Sequence, residues 1–318
     1  MKNTPFRLFA AALALLSLGL SSCQVSDMDS AAPVGEEVTV TAILPSAVHS
    51  KSGGTGDGTL ANRCILEVYE NGTFTGNRTE VRIEDMKASF TTTLVSGKSY
   101  DLVFWADCAE EGTDGTFKDK RYNTGDGLTR ISLISEGYLN NDDTADAFFG
   151  MLSTDFSGGG AVETTLRRPF GQFNLFTGDL DFIPSSVDLS EVTVRVSFSK
   201  VFTGFNALTG ELNGQQDGTV AASASVSPVS LVVNEGKPTG QVSFDYLFAS
   251  PEEEQTLVDF TVSFLDAGGN EVCAPFSASN IHIRRNYMTN AKGNLFTKGL
   301  GVSVDLNPLF DEELNIEE

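Results

Sequence analysis

The feature that most constrains the fold of this chain is a series of short runs in which apolar and polar residues alternate. Residues 38–44 (Val-Thr-Val-Thr-Ala-Ile-Leu) form the first such run, and Pro45 ends it. Further runs occupy residues 64–69, 90–94, 100–106, 192–198, 230–233, 242–248, 258–264 and 302–306. Alternation with a period of two is typical of half-buried strands. Many such strands, with few helical patterns, predict an all-β chain built from β-sandwiches.

Glycine-containing turns divide the chain further. Residues 71–72 (Asn-Gly) lie between two apolar runs, which is a strong signal for a β-hairpin. The three glycines at 158–160 precede a new run and mark a change of structural unit. A chain of 318 residues also exceeds what one hydrophobic core usually serves. We therefore expect two β-sandwich domains in tandem, residues 36–160 and residues 161–318, with few short helices.

The N-terminus has the composition of an export signal. Two basic residues precede an apolar run over residues 8–16, which is too short to span a bilayer because a span needs about 20 apolar residues. Residues 20–23 (Leu-Ser-Ser-Cys) resemble the lipobox of bacterial lipoproteins, which implies that residues 1–22 are removed and that Cys23 carries lipid. The alternative is an ordinary signal peptide. Residues 23–35 are small, acidic and proline-containing, which suits a flexible tether.

The chain is strongly acidic. It has 21 Lys and Arg against 43 Asp and Glu, a net charge of −22, and loss of Lys2 and Arg7 with the signal peptide would make it −24. Binding of nucleic acid requires clustered basic residues, so we expect no nucleic-acid partner. The glycine-rich residues 53–58 lack the Lys-Ser/Thr ending of a phosphate-binding loop. We interpret them as a flexible loop and expect no cofactor.

Residues suited to catalysis or metal binding are sparse. The only histidines are His49 and His282, and neither is paired in sequence with a nucleophile. The acidic residues at 142–146 lack the spacing of a calcium loop, and the run at 252–254 is typical of a solvated face. Three further cysteines leave the disulfide pairing open: Cys64, Cys108 and Cys273. We therefore predict neither a catalytic residue nor a metal site.

Trp105 is the candidate for ligand binding, because its ring could stack on a sugar. Alternation places Trp105 and Val103 on one face of the strand and Phe104 on the other. The same pattern is typical of a strand that is buried on both faces. At the level of the sequence both interpretations stay open.

Four segments carry a resemblance to a known family. They are residues 102–106 (Leu-Val-Phe-Trp-Ala), 146–150 (Asp-Ala-Phe-Phe-Gly), 166–174 (Leu-Arg-Arg-Pro-Phe-Gly-Gln-Phe-Asn) and 285–297. Their order resembles that of the fimbrillin-like lipoproteins of Bacteroidetes, the family of type V pili and Mfa-like fimbrillins, over nearly the whole mature chain. The resemblance implies two transthyretin-like β-sandwich domains and a lipoprotein of the outer membrane, displayed on the cell surface as a fimbrial subunit or adhesin.

The resemblance also implies a mode of assembly. In pilus-forming members of the family, an arginine-specific protease removes the first strand, and a strand of another subunit fills the groove. Residues 38–44 would be the removable strand, Arg63 the cleavage site, and Lys51 the runner-up for a lysine-directed protease. The apolar positions of this strand are Val38, Val40, Ala42 and Leu44. The alternative is an ordinary hairpin loop that happens to end in an arginine.

The C-terminus departs from the pattern of a stalk subunit. An acidic tail with few apolar positions follows residues 302–306, so either this run serves as the donor strand or the chain is a terminal subunit. The expected partners are other fimbrial subunits, the outer membrane through the lipid, and ligands on host or bacterial surfaces. The alternative function is a monomeric surface lipoprotein that binds a glycan or a host protein.

Two short patterns concern export and modification. Residues 26–29 (Ser-Asp-Met-Asp) resemble the acidic surface-export signal of such lipoproteins. Ser30 and Thr144 each follow an aspartate and precede an alanine, which matches the O-glycosylation pattern of these bacteria. Both residues are therefore candidate O-glycosylation sites.

Overall fold

A computed structural model describes residues 35–45, 56–134, 141–179, 191–215, 219–223, 230–234, 237–297 and 303–308. The strands of the first half are β1 Gly35–Ile43, β2 Arg63–Glu70, β3 Thr73–Arg82, β4 Lys87–Val95, β5 Lys98–Asp107, β6 Glu110–Glu111, β7 Phe117–Lys118, β8 Tyr122–Asn123, β9 Ile131–Leu133, β10 Ala147–Phe156 and β11 Ala161–Thr165. The strands of the second half are β12 Phe170–Thr177, β13 Thr193–Ser199, β14 Phe202–Phe205, β15 Leu212–Gln215, β16 Thr219–Ser223, β17 Ser230–Asn234, β18 Lys237–Phe248, β19 Leu257–Leu265, β20 Phe276–His282, β21 Tyr287–Gly293 and β22 Ser303–Pro308. The helical elements within the described residues are two single 3₁₀ turns, Asp143–Ala145 and Glu253–Gln255. The all-β prediction is confirmed.

The first sandwich consists of a three-stranded sheet, in the order β11-β1-β4, and a four-stranded sheet, in the order β10-β5-β2-β3. Alternating residues of both sheets meet in one apolar core, which we call the groove core because it includes the inward face of β1. Its large members include Val40, Leu66, Phe90, Phe104, Phe148 and Leu166. The outward residues of β4 are exposed, as the alternation predicts.

The predicted hairpin connects β2 and β3. Asn71 has a φ of 52° and Gly72 a φ of 73°, so both central residues adopt the left-handed conformation that a two-residue type I′ turn requires. This backbone favours Asn followed by Gly, because other side chains are strained there.

The second sandwich has a five-stranded sheet, in the order β17-β18-β12-β21-β22, and a four-stranded sheet, in the order β16-β13-β19-β20. Strand β12 is central and pairs antiparallel with β18 and parallel with β21. The core between the sheets includes Phe173, Val196, Phe198, Phe260, Phe264 and Ile283.

The chain passes from one sandwich to the other later than the sequence predicted. Strand β11 pairs in parallel with β1, from Ala161 opposite Thr39 to Thr165 opposite Ile43, and therefore belongs to the first sandwich. The predicted boundary after residue 160 is thus too early, because the glycines at 158–160 form a turn between β10 and β11 rather than a linker. From Gly35 onward the chain forms one compact unit, and the existence of two separately folding domains stays a prediction.

The two sandwiches are joined by a third apolar cluster, which we call the seam. It combines residues from the outer face of the first sandwich, such as Ile65, Val103, Trp105 and Phe149, with residues of the second half, such as Phe170, Phe205, Tyr246 and Phe248. A small sheet in the order β15-β14-β9-β8 crosses the same region, with Gly204 of β14 opposite Ser132 of β9. Backbone hydrogen bonds and aromatic packing therefore both hold the halves together.

One buried carboxyl group in the second sandwich has no hydrogen-bond partner among the described residues. Asp245 lies on β18 opposite Phe173 and is 1% exposed, and neither of its carboxyl oxygens accepts a hydrogen bond from the described part of the chain. The hydroxyl of nearby Ser243 is also buried without a partner in the same part of the chain. Burial raises the pKa of Asp245 well above its usual value, because an ionised carboxylate is unfavourable in this environment. The folded chain therefore favours the neutral, protonated form.

We expect Asp245→Asn to stabilise the protein increasingly as the pH rises. In the unfolded chain Asp245 has a pKa of about 3.9, so above that pH the folded state holds a proton that the unfolded state has lost, and stability falls. The advantage of Asn should be small at pH 4 and grow by up to about 1.4 kcal/mol per pH unit until the folded pKa is reached. Urea unfolding between pH 4 and 8 measures this, with exposed Asp126→Asn as the control. Parallel pH profiles for Asp245→Asn and the unsubstituted protein would contradict the assignment.

Candidate functional site

The candidate site is the first strand together with the groove that it fills. Strand β1 pairs antiparallel with β4 along all nine residues, from Gly35 opposite Val95 to Ile43 opposite Lys87. On its other side, its last five residues pair in parallel with β11. Strand β1 is therefore the central strand of its sheet, with hydrogen-bonded neighbours on both sides.

The four positions that the resemblance assigns to the removable strand all face inward. Their exposed fractions are 1% or less, and all four belong to the groove core: Val38, Val40, Ala42 and Leu44. Thr39, between Val38 and Val40, is exposed, and so is Glu37, which precedes Val38. Without β1, the inner faces of both sheets and the backbone edges of β4 and β11 would be open.

Where the described chain resumes after β1, Gly56 is held by two hydrogen bonds. Its N–H donates to Asp143 Oδ1 at 2.8 Å, and its carbonyl accepts from Arg168 Nη2 at 2.5 Å. Arg168 is buried and paired through two hydrogen bonds of 2.8 Å with buried Asp146. Tyr246, from the second half, donates to the same Asp143 oxygen at 2.5 Å. We name these contacts around Gly56 the anchor; sequence reasoning missed it, because its members are far apart along the chain.

The predicted cleavage site is not accessible in the fold. Arg63 is the first residue of β2 and is 1% exposed, and its guanidinium pairs with Asp107 through hydrogen bonds of 2.9 and 2.8 Å. Cleavage after an arginine requires an exposed, extended segment whose side chain can enter the protease. Arg63 is buried and its guanidinium is already paired, so the prediction is wrong for the folded chain. The runner-up, Lys51, lies outside the described residues.

Arg63 has a structural role instead. Beyond Asp107, its Nη2 lies 2.8 Å from Asp119, and Trp105 Nε1 donates to Asp107 at 3.1 Å. Burial by itself would lower the pKa of Arg63, but the hydrogen bonds and charges of Asp107 and Asp119 outweigh it and raise the pKa. The arginine thus stays charged and ties the segment around Asp119 to the outer face of the first sandwich.

Trp105 does not offer a surface to a ligand. It is fully buried in the seam, with its ring centroid 5.2 Å from that of Tyr122 in an edge-on arrangement. The sugar-stacking interpretation is therefore wrong, and the alternative of a strand buried on both faces is correct. The sequence pattern could not decide this, because alternation shows that a face is covered by something but not by what.

The candidate modification sites fall in two classes. Cys23 and Ser30 lie outside the described residues. Thr144 is half-buried, donates its hydroxyl to Asp142 at 2.6 Å and accepts from Arg121 at 3.0 Å. The hydroxyl of Thr144 is therefore already engaged on both sides, which does not suit glycosylation of the folded chain.

The three remaining cysteines are free thiols in the structure: Cys64, Cys108 and Cys273. Cys64 is fully buried in the groove core, and burial raises the pKa of its thiol. Within the described part of the chain, no group of three His, Cys, Asp or Glu side chains is placed to hold a metal ion. Over the same residues, no helix is long and apolar enough to cross a membrane.

Comparison with known proteins gives one family. The family of unknown function DUF6562 matches residues 31–318. No curated protein matches the sequence.

Several solved structures are similar in build. A candidate cell adhesion protein of Bacteroides eggerthii has 14% identity and a TM-score of 0.48, over 87% of this chain and 97% of that one. A candidate adhesin of Bacteroides thetaiotaomicron has 14% identity and a TM-score of 0.49, over 88% and 99%. The tip fimbrial protein Mfa3 of Porphyromonas gingivalis has 9% identity and a TM-score of 0.44, over 86% and 99%. All three TM-scores lie below 0.5.

We expect Arg63→Ala to destabilise the protein by about 3–5 kcal/mol, because Asp107 would be left buried and unpaired. Exposed Arg130→Ala, as the matched control, should change stability by less than about 0.5 kcal/mol. Thermal or urea unfolding measures both. In the same preparation, an arginine-specific protease should leave the bond after Arg63 intact until the chain unfolds, and rapid cleavage there in the folded protein would contradict the buried position.

Proposed function

We propose that this chain, which belongs to the DUF6562 family, is a cell-surface adhesion or fimbrial subunit that joins other subunits by exchange of its first strand. The observation that carries the proposal is the position of β1. It is the first strand of the described body, it is central in its sheet, and it supplies three buried side chains to the groove core, with Leu44 immediately after it as the fourth. A strand in this position can be replaced only by another strand that pairs with both neighbours and places apolar side chains at the same inward positions.

The energetics favour replacement over simple loss. Burial of a Val or Leu side chain stabilises a fold by about 1.5–3 kcal/mol. Loss of β1 would therefore cost on the order of 5–10 kcal/mol, which is comparable to the whole stability of a typical domain. It would also leave the backbone groups of β4 and β11 unpaired on facing edges. A donor strand from another subunit would satisfy both edges and refill the core, which is the principle of donor-strand complementation.

The cleavage that would release β1 must then lie before the anchor. Between Leu44 and Arg63 the sequence contains no arginine and a single lysine, Lys51. With Arg63 buried, we propose Lys51 as the processing site of a lysine-directed protease. Gly56 and the residues after it would stay attached to the body, because the anchor holds them independently of β1.

Attachment to the cell is proposed from the sequence. Lipidation of Cys23 would place the protein in the outer membrane, with residues 24–35 as the tether. The proposed role is structural and adhesive, without catalysis. The alternative of a glycan-binding monomer depended on Trp105, and the burial of this residue in the seam removes that support.

Strand exchange can be tested on the soluble chain that begins after Cys23. Residues 48–53 are replaced by the recognition sequence of a site-specific protease, the protein is cut, and a labelled peptide of residues 34–45 is added in excess. We expect the peptide to replace β1 and to stay bound in sodium dodecyl sulfate without boiling.

Two controls make the result specific. A peptide with Val40→Asp should not incorporate, because Val40 is fully buried and a charge there would be desolvated. Uncut protein should not take up the unsubstituted peptide. Failure of the unsubstituted peptide to enter the cut protein, or equal uptake of the Val40→Asp peptide, would refute strand exchange.

A further inference from the structure

The inward residues of the three-stranded sheet stand in rows across β11, β1 and β4. The register places Val40 between Val162 and Phe90. Two residues further along, Ala42 stands between Thr164 and Ala88. The side chains that line the groove thus change in size between the two rows: the first contains an aromatic ring, and the second contains two methyl side chains.

The two alanines of the row of Ala42 lie inside the core. Both Ala42 and Ala88 are 0% exposed and belong to the groove core. Protein cores are close-packed, so two neighbouring alanines in one sheet require larger residues of the facing sheet to fill the space above them. The fully buried rings of Phe104 and Phe148 in the facing sheet belong to the same core.

Contacts at the end of the strand locate one of these rings. The N–H of Leu44 donates to the carbonyl of Met86 at 2.9 Å. A Cβ placed on Gly58 would lie 3.2 Å from the terminal carbon of Met86 and 2.8 Å from the ring of Phe148. The Phe148 ring and the end of the Met86 side chain therefore both lie beside Gly58, and the backbone of Met86 is bonded to Leu44, two residues beyond Ala42.

We infer that the groove accepts only donor strands with a small residue at the position of Ala42, the third of the four inward positions. This inference rests on the proposed strand exchange and names the partner that it requires. The donor is an extended strand with large apolar residues at the positions of Val38, Val40 and Leu44. A larger side chain at the third position would have to displace the backbone of β4 or the rings of the facing sheet, and such overpacking destabilises cores.

The C-terminal strand of this chain does not meet the requirement. Its alternating apolar residues can be placed on the four inward positions in three registers. The residue that then replaces Ala42 is Val304, Leu306 or Pro308. The first two are too large, and proline lacks the N–H that a paired strand donates. The C-terminal strand of a second copy therefore does not fill the groove, and the donor is a strand of a different subunit that carries a small residue at this position.

Competition between peptides tests the inference in the cut protein described above. The peptide of residues 34–45 is compared with Ala42→Leu, with Thr39→Leu as a matched control at an exposed outward position, and with a peptide of residues 299–310. We expect Thr39→Leu to incorporate like the unsubstituted peptide and Ala42→Leu to compete at least tenfold less well, which corresponds to about 1.4 kcal/mol. The C-terminal peptide should not compete. Equal competition by Ala42→Leu, or uptake of the C-terminal peptide at the unsubstituted rate, would overturn the inference.

A second measurement separates this inference from the proposed function. The same two substitutions are made in the intact, uncut chain, where β1 is covalently attached and no exchange is needed. Ala42→Leu should lower the urea midpoint of unfolding relative to Thr39→Leu. If no peptide enters the cut protein, the proposed exchange fails, and the intact-chain comparison still decides on the small position: equal midpoints would refute it.

Discussion

The first sandwich depends on one constraint, which is that its central strand comes from the beginning of the described chain. Strand β1 is held by β4 along its whole length and by β11 over its second half, and its three inward side chains, with that of Leu44 after it, close the groove core. An edge strand could be lost with one row of hydrogen bonds, whereas β1 cannot be lost without opening both sheets. Its covalent connection to the body, by contrast, runs through one segment, residues 46–55. The combination of a central position with one connection makes replacement by another chain physically reasonable.

A connected set of buried polar groups in the first sandwich adjoins the seam through Trp105. Arg63, Asp107 and Trp105 form a connected set in which the arginine is neutralised and the indole N–H is satisfied. Two residues that the sequence suggested for processing and recognition are therefore structural: Arg63 within the first sandwich and Trp105 in the seam. Their residue types are informative about function only when they are exposed, and exposure at these positions is decided by tertiary packing.

Local patterns predicted much of the fold. The alternating run at 38–44 overlaps β1 up to Ile43, those at 90–94 and 258–264 fall within β4 and β19, and the Asn71-Gly72 hairpin has the expected turn. These features depend on neighbours along the chain. The sequence did not predict the parallel pairing of β11 with β1, the small sheet across the seam, or the ion pair between Arg63 and Asp107, whose members are 44 residues apart. Such contacts depend on three-dimensional approach, which a pattern of apolar residues does not specify.

The stretch from Leu166 to Phe170 has a mechanical consequence. Leu166 is buried in the groove core, Arg168 belongs to the anchor, and Phe170 is buried in the seam, so five consecutive residues connect the three. Tension applied to a strand in the groove passes through its hydrogen bonds to β11 and from there directly into the central strand of the second sandwich. No flexible linker lies on this route to absorb it. A protein of this build would transmit a pull from one end to the other as a stiff link and would give way by unpairing of strands rather than by bending between its halves.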